Sequence, residues 1–240
     1  MRACLPPSTA SLKTALDAEA ALWSSARSEI AHAAERLCPE IRLKLHPEVW
    51  ASFQCVFSGI GPSTPPYWAL AWPGGQALAR YILDHPKIVA DRTVVDWGAG
   101  CGLVAIAAAI AGAREVRAID RDPGSIEAIR ENARFNRVSQ QVLAIKSELP
   151  SPAGGAGDVI LAADLWYVRF DALRVTAALR SLAKCGATVL MADTDRAFTP
   201  RGRLKMLARY SIKTDPGIEQ TRLTTSYVAL LEGAQDATGP

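Results

Sequence analysis

In "DVILAADLWYVRF" (158–170) an apolar run climbs to a lone carboxylate, Asp164, with Trp166 and Tyr167 close behind it. A carboxylate there can cap a helix, accepting backbone N–H bonds at the start of "VRFDALRVTAALRSLA". It can also line the mouth of a site, receiving a cation beside an aromatic ring. A second group stands in "VVDWGAGCG" (94–102), where Gly98, Gly100 and Gly102 follow an apolar stretch and Asp96 precedes them. Glycine at such a turn lets a ligand approach the backbone closely.

The spacing is G-x-G-x-G, shorter than the G-x-G-x-x-G of a dinucleotide site, and Asp96 would repel a pyrophosphate held at a helix N-terminus. Asp120, in "AIDRDP", follows Gly100 at about the twenty-residue interval from which an acid reaches ribose hydroxyls. Two carboxylates, a glycine turn and no phosphate-binding lysine predict an adenosine that carries a positive centre. S-adenosylmethionine has that chemistry. The rival is a structural turn that binds nothing.

These residues need strand ends to hold them. From residue 93 short apolar runs alternate with helical ones. Strands are expected at "TVVDW", "VRAID", "QVLAIKS", "DVILAAD" and "ATVLMAD", and helices at "LVAIAAAIAG", "PGSIEAIRENARFN" and "RFDALRVTAALRSLA". That alternation predicts an α/β fold with a parallel sheet covered on both faces. "RYSIKTD" and "TSYVALLEG" have no helix between them, so an antiparallel hairpin should complete seven strands. Upstream, residues 9–37 read as helix, "EIRLKLHPEVW" as a short extended piece, and "GPSTPPYWALAWPGG" as an ordered loop into a helix at "GQALARYILDHP", stopped by Pro86. The organisation expected is an N-terminal helical extension (1–60), a core domain (61–232) and a flexible tail (233–240).

Bulk properties narrow the class. The 240 residues carry a net charge of +3, too small to imply a nucleic-acid partner. No stretch is long and apolar enough to cross a membrane, and the N-terminus lacks the apolar core of a signal peptide. The 5 cysteines are scattered and the 3 histidines isolated, so free thiols, no metal and a cytoplasmic location are expected.

"VVDWGAGCG…AID" resembles motif I and the following acidic strand end of the seven-strand, class I S-adenosylmethionine-dependent methyltransferases. "PPYWALAWPGGQALARYILDHP", "ADLWY" and "TTSYVALL", in this order, resemble more closely the electron-transfer-flavoprotein β-subunit lysine methyltransferases. The likeness runs from about residue 37 to 232, and W-x-x-x-W-P-G-G with D-L-W-Y is more specific than the glycines. It implies a Rossmann-like methyltransferase sheet and methyl transfer to lysines of a protein. Trp97 departs from it, standing where motif I has an aliphatic residue, a change of packing against the following helix.

The resemblance assigns roles. Gly98, Gly100 and Gly102 would cradle the methionine part of the cofactor, Asp96 its ammonium, and Asp120 the ribose diol. Ser147 or Glu148 would meet adenine. Trp72 would flank the cofactor, or else pin its loop as a core tryptophan. Asp164 and Tyr167 would line the lysine channel and be catalytic, with Trp166 and Tyr167 as apolar walls. Trp68, Trp50 and Trp23 are left to the core, and Asn132 and Asn136 to helix ends. Asp193, Asp195, Glu219 and Thr224 are expected as solvated turn residues on the same rim. The N-terminal helices could form a lid or a partner platform.

The substrate implied is electron-transfer-flavoprotein β-subunit, with a monomer or weak oligomer as the enzyme. A ribosomal-protein lysine is the nearest alternative, then a small-molecule amine. Nucleic-acid methylation fits less well, since D-L-W-Y replaces N-P-P-[YFW] and no basic stripe exists. A non-catalytic S-adenosylmethionine-binding module is the non-enzymatic alternative.

Overall fold

The structure is a computed structural model that describes residues 37–45, 65–150, 157–214 and 222–232. Seven strands form one sheet: β1 (Thr93–Trp97), β2 (Glu115–Asp120), β3 (Val142–Lys146), β4 (Val159–Ala163), β5 (Thr188–Asp193), β6 (Leu204–Lys213) and β7 (Leu223–Leu231). Their order is β3-β2-β1-β4-β5-β7-β6. The first five pair in parallel, while β7 runs antiparallel between β5 and β6. The continuous apolar runs of β4 and β5 follow from burial on both faces. The edge strand β6 is exposed or half-buried except at Ile212 and carries a bulge between Met206 and Ala208. It begins at Leu204, five residues before the expected start at Arg209.

Helices α1 (Pro73–Asp84), α2 (Leu103–Ile110) and α3 (Pro123–Phe135) cover one face, and α4 (Arg169–Lys184) packs on the other. α1 starts two residues earlier than the sequence suggested, because Pro73 presets the backbone at the first helical position. It ends as expected, with the His85 N–H on the Tyr81 and Ile82 carbonyls ahead of Pro86. α3 is capped by Asp122, whose carboxylate accepts the Gly124 N–H at 2.7 Å.

Strand alternation splits neighbouring residues between the faces. Leu78, Ile82, Ile106 and Ile129 pack with Val94 and Leu161 under α1–α3. Trp97, Trp166, Val175 and Leu179 pack with Ile160 and Met191 under α4. Trp97 therefore does not meet the following helix, α2, as anticipated. Being one residue past Asp96 on β1, it points to the opposite face and packs in the cluster that holds Trp166.

Residues 41–45 form the extended piece that the alternation of "EIRLKL" implied, yet they join no strand. Ile41, Leu43 and Leu45 are buried, and the intervening N–H groups go to side chains of α3. Arg42 donates to Asn136 Oδ1 at 3.0 Å and Lys44 to Asn132 Oδ1 at 2.8 Å. The helix expected over 9–37 lies almost wholly outside the described residues, as do Trp23, Trp50, Glu219 and the 233–240 tail.

Candidate active site

Strand order reverses at β1, with β2 on one side and β4 on the other. Open α/β sheets take ligands at the carboxyl ends of strands at that point. A cavity of about 950 Å³ opens there, walled by the glycine turn, Asp96, Asp120, Asp164, Tyr167 and the 65–75 segment. Its size suits a ligand of nucleoside scale.

The glycine turn needs glycine. Gly98, Gly100 and Gly102 all have positive φ, at 68°, 53° and 85°. A Cβ on Gly98 would collide with the Leu165 side chain, and one on Gly102 would lie 3.3 Å from Ile129 Cα. Asp120 ties the turn down, accepting the Gly100 N–H at 2.9 Å and the Asp122 N–H at 3.0 Å. Burial raises its carboxyl from the ordinary range, opposed by those backbone hydrogen bonds.

Asp96 is 2 % exposed. Burial pushes its carboxyl up to about 8, with the Ala105 N–H at the start of α2 pulling the other way. Its Oδ2 is buried with no hydrogen-bond partner among the described residues. A cation inside the cavity would satisfy it.

Asp164 leaves β4 with φ at +53° and is 8 % exposed. It does not cap the helix that follows it; α4 starts at Arg169 behind Val168, with no side-chain cap. Instead Oδ2 accepts the Gly75 N–H at 3.2 Å, at the start of α1. That approach requires Gly74, where a Cβ would fall 2.5 Å from Oδ2. W-P-G-G and D-L-W-Y thus meet across the cavity. Arg196 Nε lies 3.5 Å from Asp164 Oδ1.

Aromatic rings continue the wall. Tyr167 lies 5.4 Å from Tyr67 between centroids, and Tyr67 lies 5.9 Å from Trp72. The Trp72 Nε1–H donates to the Tyr67 carbonyl at 2.7 Å, so Trp72 both pins its loop and faces the cavity. Desolvation raises the Tyr167 phenol above its usual range, with the Arg121 charge opposing.

Other residues fall elsewhere than the sequence suggested. Trp166 is fully buried beneath α4, its indole N–H donating to Thr176 Oγ1 at 2.9 Å, so it walls no channel. Trp68 is not a core residue; it lines the cavity and lies over Gly124 at the start of α3. Glu148 and Leu149 line the cavity, but Ser147 does not. The Ser147 N–H extends the sheet pairing to the Asp120 carbonyl, and its hydroxyl lies 3.4 Å from the Glu148 carbonyl. Asp193 is buried rather than solvated, because its carboxylate holds the next turn. Asp195 is exposed, and Thr224 meets Thr214 at 3.3 Å across the hairpin. Asn136 caps α3, as a helix-end residue would, whereas Asn132 lies inside it and donates to the Cys101 carbonyl at 2.9 Å. Sequence reasoning also passed over Arg196, whose one signal was its place just beyond an apolar strand end.

Comparison with known proteins gives the family. The electron transfer flavoprotein beta subunit lysine methyltransferase of Xenopus laevis is 36% identical over 80% of this chain and 79% of its own. That of Rattus norvegicus is 34% identical over 80% of this chain and 76% of its own. The chain belongs to the electron transfer flavoprotein beta subunit lysine methyltransferase family. Residues 77–170 also match the ribosomal protein L11 methyltransferase (PrmA) family. A solved Thermoplasma acidophilum protein shares the fold, with a TM-score of 0.50 and 19% identity over 68% of this chain and 89% of that one.

The chain is thus an S-adenosylmethionine-dependent methyltransferase, and its cavity fits that cofactor. The unsatisfied Oδ2 of Asp96 suits the cofactor ammonium. The side-chain-free surface at Gly100, where a Cβ would have no neighbour nearer than 4.0 Å, suits a ligand lying on the backbone. Asp120 keeps lone pairs for a ribose diol beside its two backbone bonds. Trp68 and Trp72 add aromatic lining. Among the described residues, no cluster of His, Cys, Asp or Glu could hold a metal.

Proposed function

We propose that this methyltransferase modifies lysine side chains of electron transfer flavoprotein β subunit, the acceptor named for its relatives. The observation that carries the reading is the shared cavity: Asp164 and Tyr167 stand on the same walls as Asp96, Asp120 and the glycine turn. When bound, S-adenosylmethionine supplies a methyl group activated by a positively charged sulfur.

The protein must present a neutral amine to it. With an ordinary lysine pKa near 10.4, removing the proton at neutral pH costs about 4 kcal/mol. A lone carboxylate would raise that cost by favouring the ammonium. Asp164 therefore captures and aims the lysine instead of acting as its base, its position fixed by Gly75. Tyr67, Tyr167 and Trp72 replace water around the lysine stem, which lowers the amine pKa by desolvation. Orientation supplies several kcal/mol of the barrier.

The match of residues 77–170 to the ribosomal protein L11 family favours a second reading, a ribosomal-protein lysine. Methyl transfer from labelled S-adenosylmethionine to each purified acceptor separates the two. Label on the flavoprotein subunit at lysine is expected. Label on L11 alone would replace that substrate, and transfer to neither acceptor nor to extract protein would remove the protein-lysine reading.

A further inference from the structure

The turn after β5 is built to deliver one side chain. Asp193, fully buried, accepts the Arg196 N–H at 2.8 Å and the Thr199 hydroxyl at 2.9 Å on the same oxygen. From β7 the Ser226 hydroxyl holds the Asp193 carbonyl at 3.0 Å. Asp195, with φ at +63°, reverses the chain between them. Arg196 is thereby fixed at its backbone, and its side chain reaches into the cavity. Its Nε stands 3.5 Å from Asp164 Oδ1, and its Cζ lies 5.5 Å from the centroid of the Trp72 ring. The side chain is 22 % exposed.

This geometry addresses the difficulty that Asp164 creates. A carboxylate that aims a lysine also holds it as an ammonium, which cannot accept a methyl group. A guanidinium on the other oxygen leaves the pair near neutral. We propose that Arg196 is a positioning residue that offsets Asp164, so that the carboxylate aims the substrate lysine without keeping it protonated. The inference rests on the protein-lysine reading above. Arginine suits the task because it stays charged throughout the working pH range and stacks on an aromatic face. The other charged and titratable groups around the pair are the positive N-terminus of α1, Asp193 behind the turn, and Tyr67, Asp96, Asp120, Arg121, Asp122, Glu148, Tyr167 and Asp171 on the cavity walls. All remain when Arg196 is changed.

The test is kcat for methylation of the purified flavoprotein β subunit from about pH 6.5 to about pH 9.5. Wild type is compared with Arg196→Lys, Arg196→Gln and Arg196→Met. Gln removes the charge and Met keeps an apolar stem over Trp72. Both uncharged variants should lose at least about tenfold in kcat at neutral pH. Their rising limb should move up by about one pH unit and converge with wild type at the alkaline end. KM for the protein should not rise, since a bare carboxylate holds an ammonium more tightly. Lys, which keeps the charge, should restore most of the neutral-pH rate. A loss uniform across pH, or unchanged profiles, would overturn the inference. Thermal unfolding and cofactor titration identify any variant that fails to fold, and the other uncharged variant then decides. Wild type that labels no protein lysine would refute the protein-lysine reading itself and the inference with it.

Discussion

Asp96 and Asp164 line one cavity in different settings. Asp164 has the Gly75 N–H and the Arg196 side chain beside it, whereas Asp96 has a buried oxygen with no partner among the described residues. The Asp96 carboxyl is raised from 3.8 to about 8 by burial, so below that pH the folded protein holds it neutral. The unfolded chain ionises it first as pH rises, so this group withdraws stability from the ligand-free protein between those two values. An ammonium beside it favours the carboxylate, so cofactor binding below about pH 8 must release a proton. Calorimetry in buffers of different ionisation heat should show about one proton released near pH 6.5, and affinity rising by up to about tenfold per unit towards pH 8. Asp96→Asn should abolish both effects. Equal release by that variant would assign the proton elsewhere. Asp164→Asn tests the second carboxylate. It retains an acceptor for Gly75, so the fold and cofactor affinity should survive within a few-fold, while transfer falls by at least about a hundredfold. Parallel loss of binding and transfer would show Asp164 to be structural only.

α1 and the β4–α4 turn work as one device. α1 begins with Pro73, Gly74 and Gly75, and the Asp164 carboxylate closes on that first turn from the far side of the cavity. An anion at a helix N-terminus stabilises it by roughly 0.3–1 kcal/mol when surface-exposed and up to about 2 kcal/mol when partly buried. Gly74→Ala places a methyl group 2.5–2.9 Å from all three carboxyl heavy atoms. Helix propensity alone would make that change favourable by about 1 kcal/mol. The expected outcome is the reverse: lower thermal stability and at least about tenfold slower transfer, because Asp164 must leave the α1 terminus. A more stable, fully active variant would mean that the carboxylate does not rest there.

At the scale of the whole molecule, the 41–45 strap is held on the core through Asn132 and Asn136. Asn132 is fully buried and serves two backbone groups, the Lys44 N–H and the Cys101 carbonyl. Cys101 belongs to the glycine turn, so the strap and the cofactor loop share a residue. Asn132→Ala strands a part-buried donor and a buried acceptor, costing about 2–4 kcal/mol, or a fall in Tm of roughly 5–10 °C. Cofactor affinity should fall with it, and the added cofactor should recover part of the loss. Loss of stability with unchanged cofactor affinity would uncouple strap and site.

The sequence by itself determined the elements and the ligand class. Apolar runs and helical spacing are local properties, so all seven strands and the helices from Pro73 onward were legible, with end errors at Pro73, Leu204 and Leu223. G-x-G-x-G with Asp96 and Asp120 was legible for the same reason, since positive-φ turns and strand-end carboxylates leave a mark at fixed spacing. Only the tertiary structure decided which way side chains point and which distant segments touch. Sheet alternation turned Trp97 under α4, and the β4–α4 turn buried Trp166 there, leaving Trp68 and Trp72 at the cavity. Asp164 met Gly75, 89 residues away in sequence, not the helix beside it. Arg196 had no signature of its own. Its role comes from a turn held by Asp193, and a contact made across a cavity leaves no periodicity in the chain.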